Sequence, residues 1–231
     1  MKILALDTSS DACSAALMTP DNRFTEYQLE PRAHTRLILP MVESVLQQGG
    51  VTLQDLDALA FGRGPGAFTG VRIATGIVQG LALAANKPVL AISTLAALAQ
   101  QAHHQQHAEK VLVAVDARMS EVYWGSYTLQ DGHMQLSGEE WVLPPDSAPK
   151  PDGNNWYACG TGWSVYADAL QPRFATQITG FSTDLLPSAA YIAELATYAY
   201  QRGEAVAAEL AQPVYLRNKV AQTTRERALN Q

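Results

Sequence analysis

The chain has 231 residues, with 16 Lys+Arg against 22 Asp+Glu and a formal net charge of -6, so no global basic field is present to gather nucleic acid. Charged residues make up 16% and hydrophobic residues 47%, against about 25% charged in an ordinary soluble domain, which leaves apolar surface for a partner to cover. Two distant cysteines, Cys13 and Cys159, without any C-x-x-C pair exclude a disulfide framework and a Cys-rich zinc module.

Lys2–Asp7 is a short β-rich run ending in the turn Asp7-Thr8-Ser9-Ser10. It meets an acid too soon for a signal-peptide core of ~7–15 apolar residues, so an intracellular, cytoplasmic chain is expected. Cys13–Met18 and the Asp21-Asn22 turn extend this opening to strand, turn, strand, turn, strand, an antiparallel start. From Thr35 the period becomes helical, with Leu37, Ile38, Met41, Val42, Val45 and Leu46 on one stripe and Gly49-Gly50 as the stop. Pro40 should kink this helix or mark its true first turn.

Leu56–Phe61 has the composition of a buried strand. The loop Gly64-Pro65-Gly66-Ala67-Phe68-Thr69-Gly70 follows, then a long helix to about Asn86, a strand at Pro88–Ile92, a helix at Thr94–His107 and a strand from Val111 to Asp116. The most apolar stretch, Val71–Ala85, falls short of the ~18–20 residues that cross a bilayer, so no membrane contact is expected. Val122–Leu129, the Asp131-Gly132 turn and Glu139–Leu143 read as a further meander. The Pro-rich segment 144–153 is the long loop, and strand Trp156–Cys159, turn Gly160-Thr161-Gly162, a short helix and a longer helix Ser188–Gln201 complete the series. Strands alternating with helices after a hairpin opening predict an α/β layered fold with mixed sheets.

Four groups of residues could carry chemistry. Asp7, Thr8 and Ser9, an acid and hydroxyls in a tight turn, can hold a metal-bound phosphate, or can simply form a polar turn. Gly64 and Gly66 permit close backbone approach ahead of a helix N-terminus that attracts anions, although the Lys-Ser/Thr ending of a P-loop is missing; a tight loop with an N-cap at Thr69 explains the same residues. In the helix that follows, Gly76, Gly80 and Ala84 recur every four residues beside a stripe of Ile73, Ile77 and Leu81. Gly costs ~1 kcal/mol in a helix interior relative to Ala, so the repeat predicts a close helix contact, inside the fold or between subunits. Last, His103 and His107 have an i, i+4 spacing that can chelate zinc, but they sit among glutamines at a helix end and read as a solvated C-terminus.

Ile3–Ser10 at the opening, Gly64–Arg72, Asp116-Ala117-Arg118 with Glu121-Val122-Tyr123, and Pro213-Val214-Tyr215-Leu216-Arg217 together resemble the bacterial TsaB (YeaZ) family over nearly the whole chain. The resemblance implies an actin-like, Hsp70-like ATPase superfamily fold of two ribonuclease-H-like lobes. A first lobe over 1–108 would carry the dimerisation helices, and a second lobe over 109–231 would have its last helix or tail packing back on the first. It also implies a role in making threonylcarbamoyladenosine beside the tRNA anticodon, as a scaffold or activating subunit without catalysis of its own. The partners so implied are a TsaD-type catalytic paralogue, a TsaE-type ATPase and a second copy of the chain, with tRNA met only through the complex.

Matching Pro88–Leu98 to the metal-binding segment of TsaD puts Thr94 and Leu98 where two histidines stand, so no metal and no TsaD-type chemistry are expected. The same substitution disfavours a metallopeptidase. Asp7, Thr8, Ser9, Gly64, Gly66, Asp116, Gly160 and Gly162 are then a vestigial nucleotide cleft with weak or absent ATP or ADP binding and no obligate cofactor. The partner surface would be Leu37, Ile38, Met41, Val42 and Val45 with Ile73, Gly76, Ile77, Gly80, Leu81 and Ala84. An alternative keeps the cleft as a working ATPase or kinase-like site, and a third reading has the Arg217–Arg227 tail touch tRNA.

Overall fold

The computed structural model describes residues 1–217. Strands β1 (Ile3–Asp7), β2 (Ala12–Met18), β3 (Arg23–Leu29), β4 (Ala58–Gly62) and β5 (Val89–Ile92) form one sheet in the order β3-β2-β1-β4-β5. Here β1 is antiparallel to β2 and parallel to β4. Every residue of β1 and β4 is buried, which is why both read as continuous apolar runs. Edge strand β3 is half exposed and carries charges instead. Between these strands run α1 (His34–Gly49), α2 (Phe68–Ala85) and, after β5, α3 (Thr94–Gln106).

The second sheet contains β6 (Lys110–Asp116), β7 (Val122–Gln130), β8 (His133–Leu136), β10 (Trp156–Cys159) and β11 (Ile178–Ser182) in the order β11-β10-β6-β7-β8, with the short β9 (Trp141–Leu143) paired to β7. Again the first strand is antiparallel to the next and parallel to the fourth. Counted within its own half and with β9 set aside, each sheet has the order 3-2-1-4-5, so the two halves repeat one topology although no sequence repeat announces it. The repeat is that of a ribonuclease-H-like lobe, and the pair is the arrangement of the actin-like ATPase superfamily. It places Asp7 and Asp116 at equivalent points, each at the end of its lobe's first strand.

Two helices tie the halves together. Leu95, Leu98, Ala99 and Ala102 of α3 pack in the core of the second sheet with Val111, Val113 and Tyr127. Ile192, Ala193 and Ala196 of α6 (Ala189–Gln201) return to the first sheet, against Ile3, Ala5, Ala58 and Ala60. The second lobe's outer core is aromatic: Trp163 of α4 (Gly162–Val165) and Phe174 of α5 (Ala167–Phe174) enclose Trp124, with Trp124 and Phe174 stacked at 5.1 Å.

Helix α1 begins at His34, runs past the exposed Pro40 and ends on Gly50 in the left-handed region at φ 61. Helix α2 starts three residues ahead of the apolar stretch. Its 18 residues and mean hydropathy of 1.4 meet the length and composition of a membrane span. In this fold its Val71, Ala74, Val78 and Ala82 face is packed against the first sheet. Strands β8 and β11 and helix α5 were not expected from the sequence.

The interface expected on α1 needs correction. Ile38, Met41, Val42 and Val45 are buried, with Ile38 and Val45 at 0% exposure, in the core with Leu4, Leu6, Leu17 and Phe61. A stripe of this width on a helix lying across a sheet is used by that sheet. Leu37 is half-buried against the same core, and the exposed apolar residue of α1 is Leu39.

Candidate functional site: the interlobe cleft and the glycine face of α2

A cleft of about 500 Å³ opens between the ends of β1 and β6. Ser9, Gly66, Thr94, Asp116, Thr161 and Arg217 are among its lining residues. The sequence therefore brought several of its candidates to one place, but the structure shows what holds each of them. Asp7 is completely buried and does not line the cleft. One of its carboxylate oxygens accepts from the Ser9 N–H at 3.0 Å and the Ser9 hydroxyl at 2.9 Å. Burial pushes its carboxyl up to about 6, against the pull of those Ser9 bonds and of His34. The Thr8 hydroxyl donates to the Gly70 carbonyl at 2.6 Å, and the Ser9 carbonyl accepts the Ala67 N–H at 2.7 Å.

The glycines of the 64–70 loop serve this same docking. A Cβ on Gly70 would stand 1.9 Å from the Thr8 carbonyl oxygen, and one on Gly66 would stand 2.5 Å from that of Ser9. The first hairpin turn and the loop thus take up each other's polar groups and the space between them. Gly64 lies under the Val214 carbonyl, while Gly160 and Gly162 lie against the backbone of Ala114 in β6.

Asp116 is equally engaged. Its carboxylate accepts from the Tyr166 hydroxyl at 2.9 Å and the Arg118 N–H at 2.8 Å and pairs with the Arg118 guanidinium at 3.2 Å, while its own N–H donates to the Thr161 hydroxyl at 3.1 Å. An ATPase cleft of this fold needs a carboxylate and a free hairpin turn aimed at a metal-bound phosphate. Here Asp7 and Asp116 are both tied to protein donors, and the Thr8–Ser9 turn is packed on the 64–70 loop rather than standing free. Thr94 and Leu98, the positions matched to histidines, both line the cleft, and a hydroxyl and an alkyl chain offer no imidazole. Among the described residues no three His, Cys, Asp or Glu side chains gather as a metal set. His103 bonds the Ala108 carbonyl and His107 is the left-handed residue that ends α3.

Two features escaped the sequence reading. Glu140 accepts from the buried Ser93 and Tyr127 hydroxyls and lies 3.9 Å from the half-buried Arg63 guanidinium, joining the lobes. Burial and Glu140 hold the Tyr127 hydroxyl well above its usual range. At the mouth, Arg217 lines the cleft with its guanidinium bound to the β6–β7 turn, so it is not a free cation for RNA. The remaining tail cations, Lys219, Arg225 and Arg227, lie outside the described residues. Spacing alone could not find either feature, because Glu140 and Arg217 act on partners distant in sequence.

The glycine repeat of α2 has a different environment. Gly76, Gly80 and Ala84 are exposed, as is Leu83 at 75%, while Ile73, Ile77 and Leu81 are half-buried beside them. A Cβ built on Gly76 or Gly80 meets nothing within 4 Å. The close contact the repeat predicts is therefore not made within the fold.

The family model for "TsaD: tRNA N6-adenosine threonylcarbamoyltransferase" matches residues 28–225. The chain is 43% identical to an Escherichia coli K12 protein named tRNA threonylcarbamoyladenosine biosynthesis protein TsaB, over 96% of each chain. It is 39% identical to the Haemophilus influenzae protein of the same name, over 95% of each. Among solved structures, YeaZ from Pseudomonas aeruginosa superposes with a TM-score of 0.88 at 51% identity, covering 93% of this chain and 99% of that one. Topology, the family model and these relatives agree, and the chain belongs to the TsaB (YeaZ) family of tRNA threonylcarbamoyladenosine biosynthesis proteins.

Proposed function

We propose that this protein is a non-catalytic subunit in the synthesis of threonylcarbamoyladenosine beside the tRNA anticodon, acting by binding a TsaD-type catalytic paralogue through the exposed face of α2. The observation that carries this reading is the pair Gly76 and Gly80, two exposed helix-interior glycines at which an added Cβ would meet nothing outside the helix within 4 Å. Each costs the helix ~1 kcal/mol relative to alanine, and nothing inside the chain returns it. A second helix laid across Gly76, Gly80 and Ala84 would do so by close backbone approach, with Ile73, Ile77, Leu81 and Leu83 supplying the apolar flanks. The same face serves a second copy of the chain when the paralogue is absent. A TsaE-type ATPase joins the resulting complex, and tRNA is met there rather than by this acidic subunit alone.

The cleft supports this reading from the other side. Asp7, Thr8, Ser9 and Asp116 hold the fold together, so the scaffold keeps an ATPase shape while its acids and hydroxyls are satisfied internally. The test is Gly80→Leu. The variant should fold alone, yet fail to co-purify with the TsaD-type subunit and fail to support modification of tRNA. Retained pairing and normal modification would overturn the proposal. Isothermal titration of the isolated chain with Mg-ATP should give no heat at low-micromolar concentrations, and tight binding with turnover would favour the kinase-like alternative.

A further inference from the structure

Residues 213–217 cross the mouth of the cleft and are anchored on both lobes. On the first lobe, the Val214 N–H donates to the Arg63 carbonyl at 2.8 Å, and the Tyr215 ring lies 5.6 Å from that of Phe68. The Arg72 guanidinium sits 3.5 Å over Phe68 and 5.3 Å from Tyr215. Just upstream, the Gln79 amide of α2 donates to the Ala211 carbonyl at 2.8 Å. On the second lobe, Arg217 donates to the carbonyls of Ala117 at 3.1 Å and Arg118 at 3.2 Å, pairs with Glu121 at 2.5 Å and reaches the Met119 sulfur at 2.6 Å.

The turn Arg217 grips is an unusual one. Arg118, Met119 and Ser120 all have left-handed backbone, with φ of 63, 55 and 59, in a run without glycine. Single non-glycine residues visit this region at a cost of about 1 kcal/mol or more, and three in succession persist only where surroundings fix them. A guanidinium whose one terminal nitrogen takes two carbonyls of the turn and the Glu121 carboxylate at its end is such a support, since hydrogen bonds from a charged donor are among the stronger ones available. Val214 and Arg217 are three residues apart, a reach of at most ~10 Å. A tie that short holds the two rims at one separation.

We propose that 213–217 is an interlobe strap: Arg217 locks the left-handed β6–β7 turn and, through Tyr215 and Val214, sets the closure of the cleft. Freeing either anchor loosens both rims, and entry to the cleft follows release of the strap. Hydrogen exchange followed by mass spectrometry on the full chain tests this with Arg217→Ala, Tyr215→Ala and Arg217→Lys. The first two should each speed exchange about tenfold or more in both the 63–71 and 116–122 segments, while β1 and β10 stay protected. Lysine, which keeps the charge but not the planar guanidinium that reaches both carbonyls and Glu121, should fall between. Should Arg217→Ala not fold, Glu121→Gln removes the ion pair alone and should show the same coupling at smaller size. Loosening confined to 116–122 in the Arg217 variants and to 63–71 in Tyr215→Ala, or no change in either segment, would overturn the strap.

Discussion

Replacing Gly76 and Gly80 together by alanine should make the isolated chain more stable and its association weaker. Both residues lie in the interior of α2, and a Cβ at either one meets no heavy atom within 4 Å, so the substitution brings no clash inside the chain. The gain is then the helix preference of Ala over Gly, about 0.8–1 kcal/mol per position, or roughly 1.5–2 kcal/mol for the pair. For a chain of this size ~1 kcal/mol moves Tm by about 2–4 °C, which gives a rise of roughly 3–8 °C. Calorimetric melting should be read over a dilution series, because a copy bound to the same face would add its own concentration-dependent stabilisation. The double variant should melt above the wild type at high dilution and lose the concentration dependence. A lower Tm at every dilution would show that the glycines support the chain itself, and the argument from α2 would fail.

Three further outcomes follow from contacts already described. Gly70→Ala should cost several kcal/mol and sharply lower Tm, since its Cβ would lie 1.9 Å from the Thr8 carbonyl oxygen, a backbone atom with no room to yield; a wild-type melt would contradict the docking of loop on turn. Asp7 has a folded-state value near 6 against 3.8, so the native state binds its proton more tightly than the unfolded one. Its contribution to stability is therefore fully present below about 4 and lost as pH rises through about 6, a swing of up to ~3 kcal/mol. Asp7→Asn removes that swing: urea melts should show wild-type stability gaining on the variant as pH falls from 8 to 4, and a pH-independent difference would refute the buried charge. Trp163→Ala empties the centre of the Trp124–Phe174 cluster and should cost about 3–5 kcal/mol, read as loss of near-ultraviolet dichroism on mild heating.

Periodicity and turn chemistry gave away the elements whose local signals agree with their burial. The buried runs of β1 and β4, the Gly50 stop of α1 and the helix beginning at Thr94 are of this kind. Strand β8 was hidden because its anchor is a histidine, His133, buried by stacking at 4.0 Å on Tyr198. Pro172 masked α5, and Gly180 weakened the signal of β11. The repeat of one topology in both lobes leaves no trace in sequence, because hydrogen-bond order and not residue identity is what repeats.

The site was legible as a set of residues and not as a role. Ser9, Gly66 and Asp116 do line one cleft, with Asp7 buried and bonded to Ser9, yet whether a carboxylate faces a ligand or a neighbouring N–H depends on contacts across dozens of residues. Helix α1 teaches the same point from packing. Ile38 and Val45 have the period of an interface stripe, but a stripe says only that something covers it, and the first sheet does. The glycines of α2 were informative because their cost is intrinsic to the helix, so the absence of a neighbour inside the chain carries meaning.

The central claim is that this subunit acts by presenting α2 to a partner and not by chemistry in its cleft. It is tested most directly by the threonylcarbamoyladenosine content of tRNA from cells depleted of this protein and supplied with wild type, Gly80→Leu or Asp7→Asn. Wild type and Asp7→Asn should restore the modification, while Gly80→Leu, folded and expressed at the same level, should not. Full restoration by Gly80→Leu, or its loss with a folded Asp7→Asn, would contradict it.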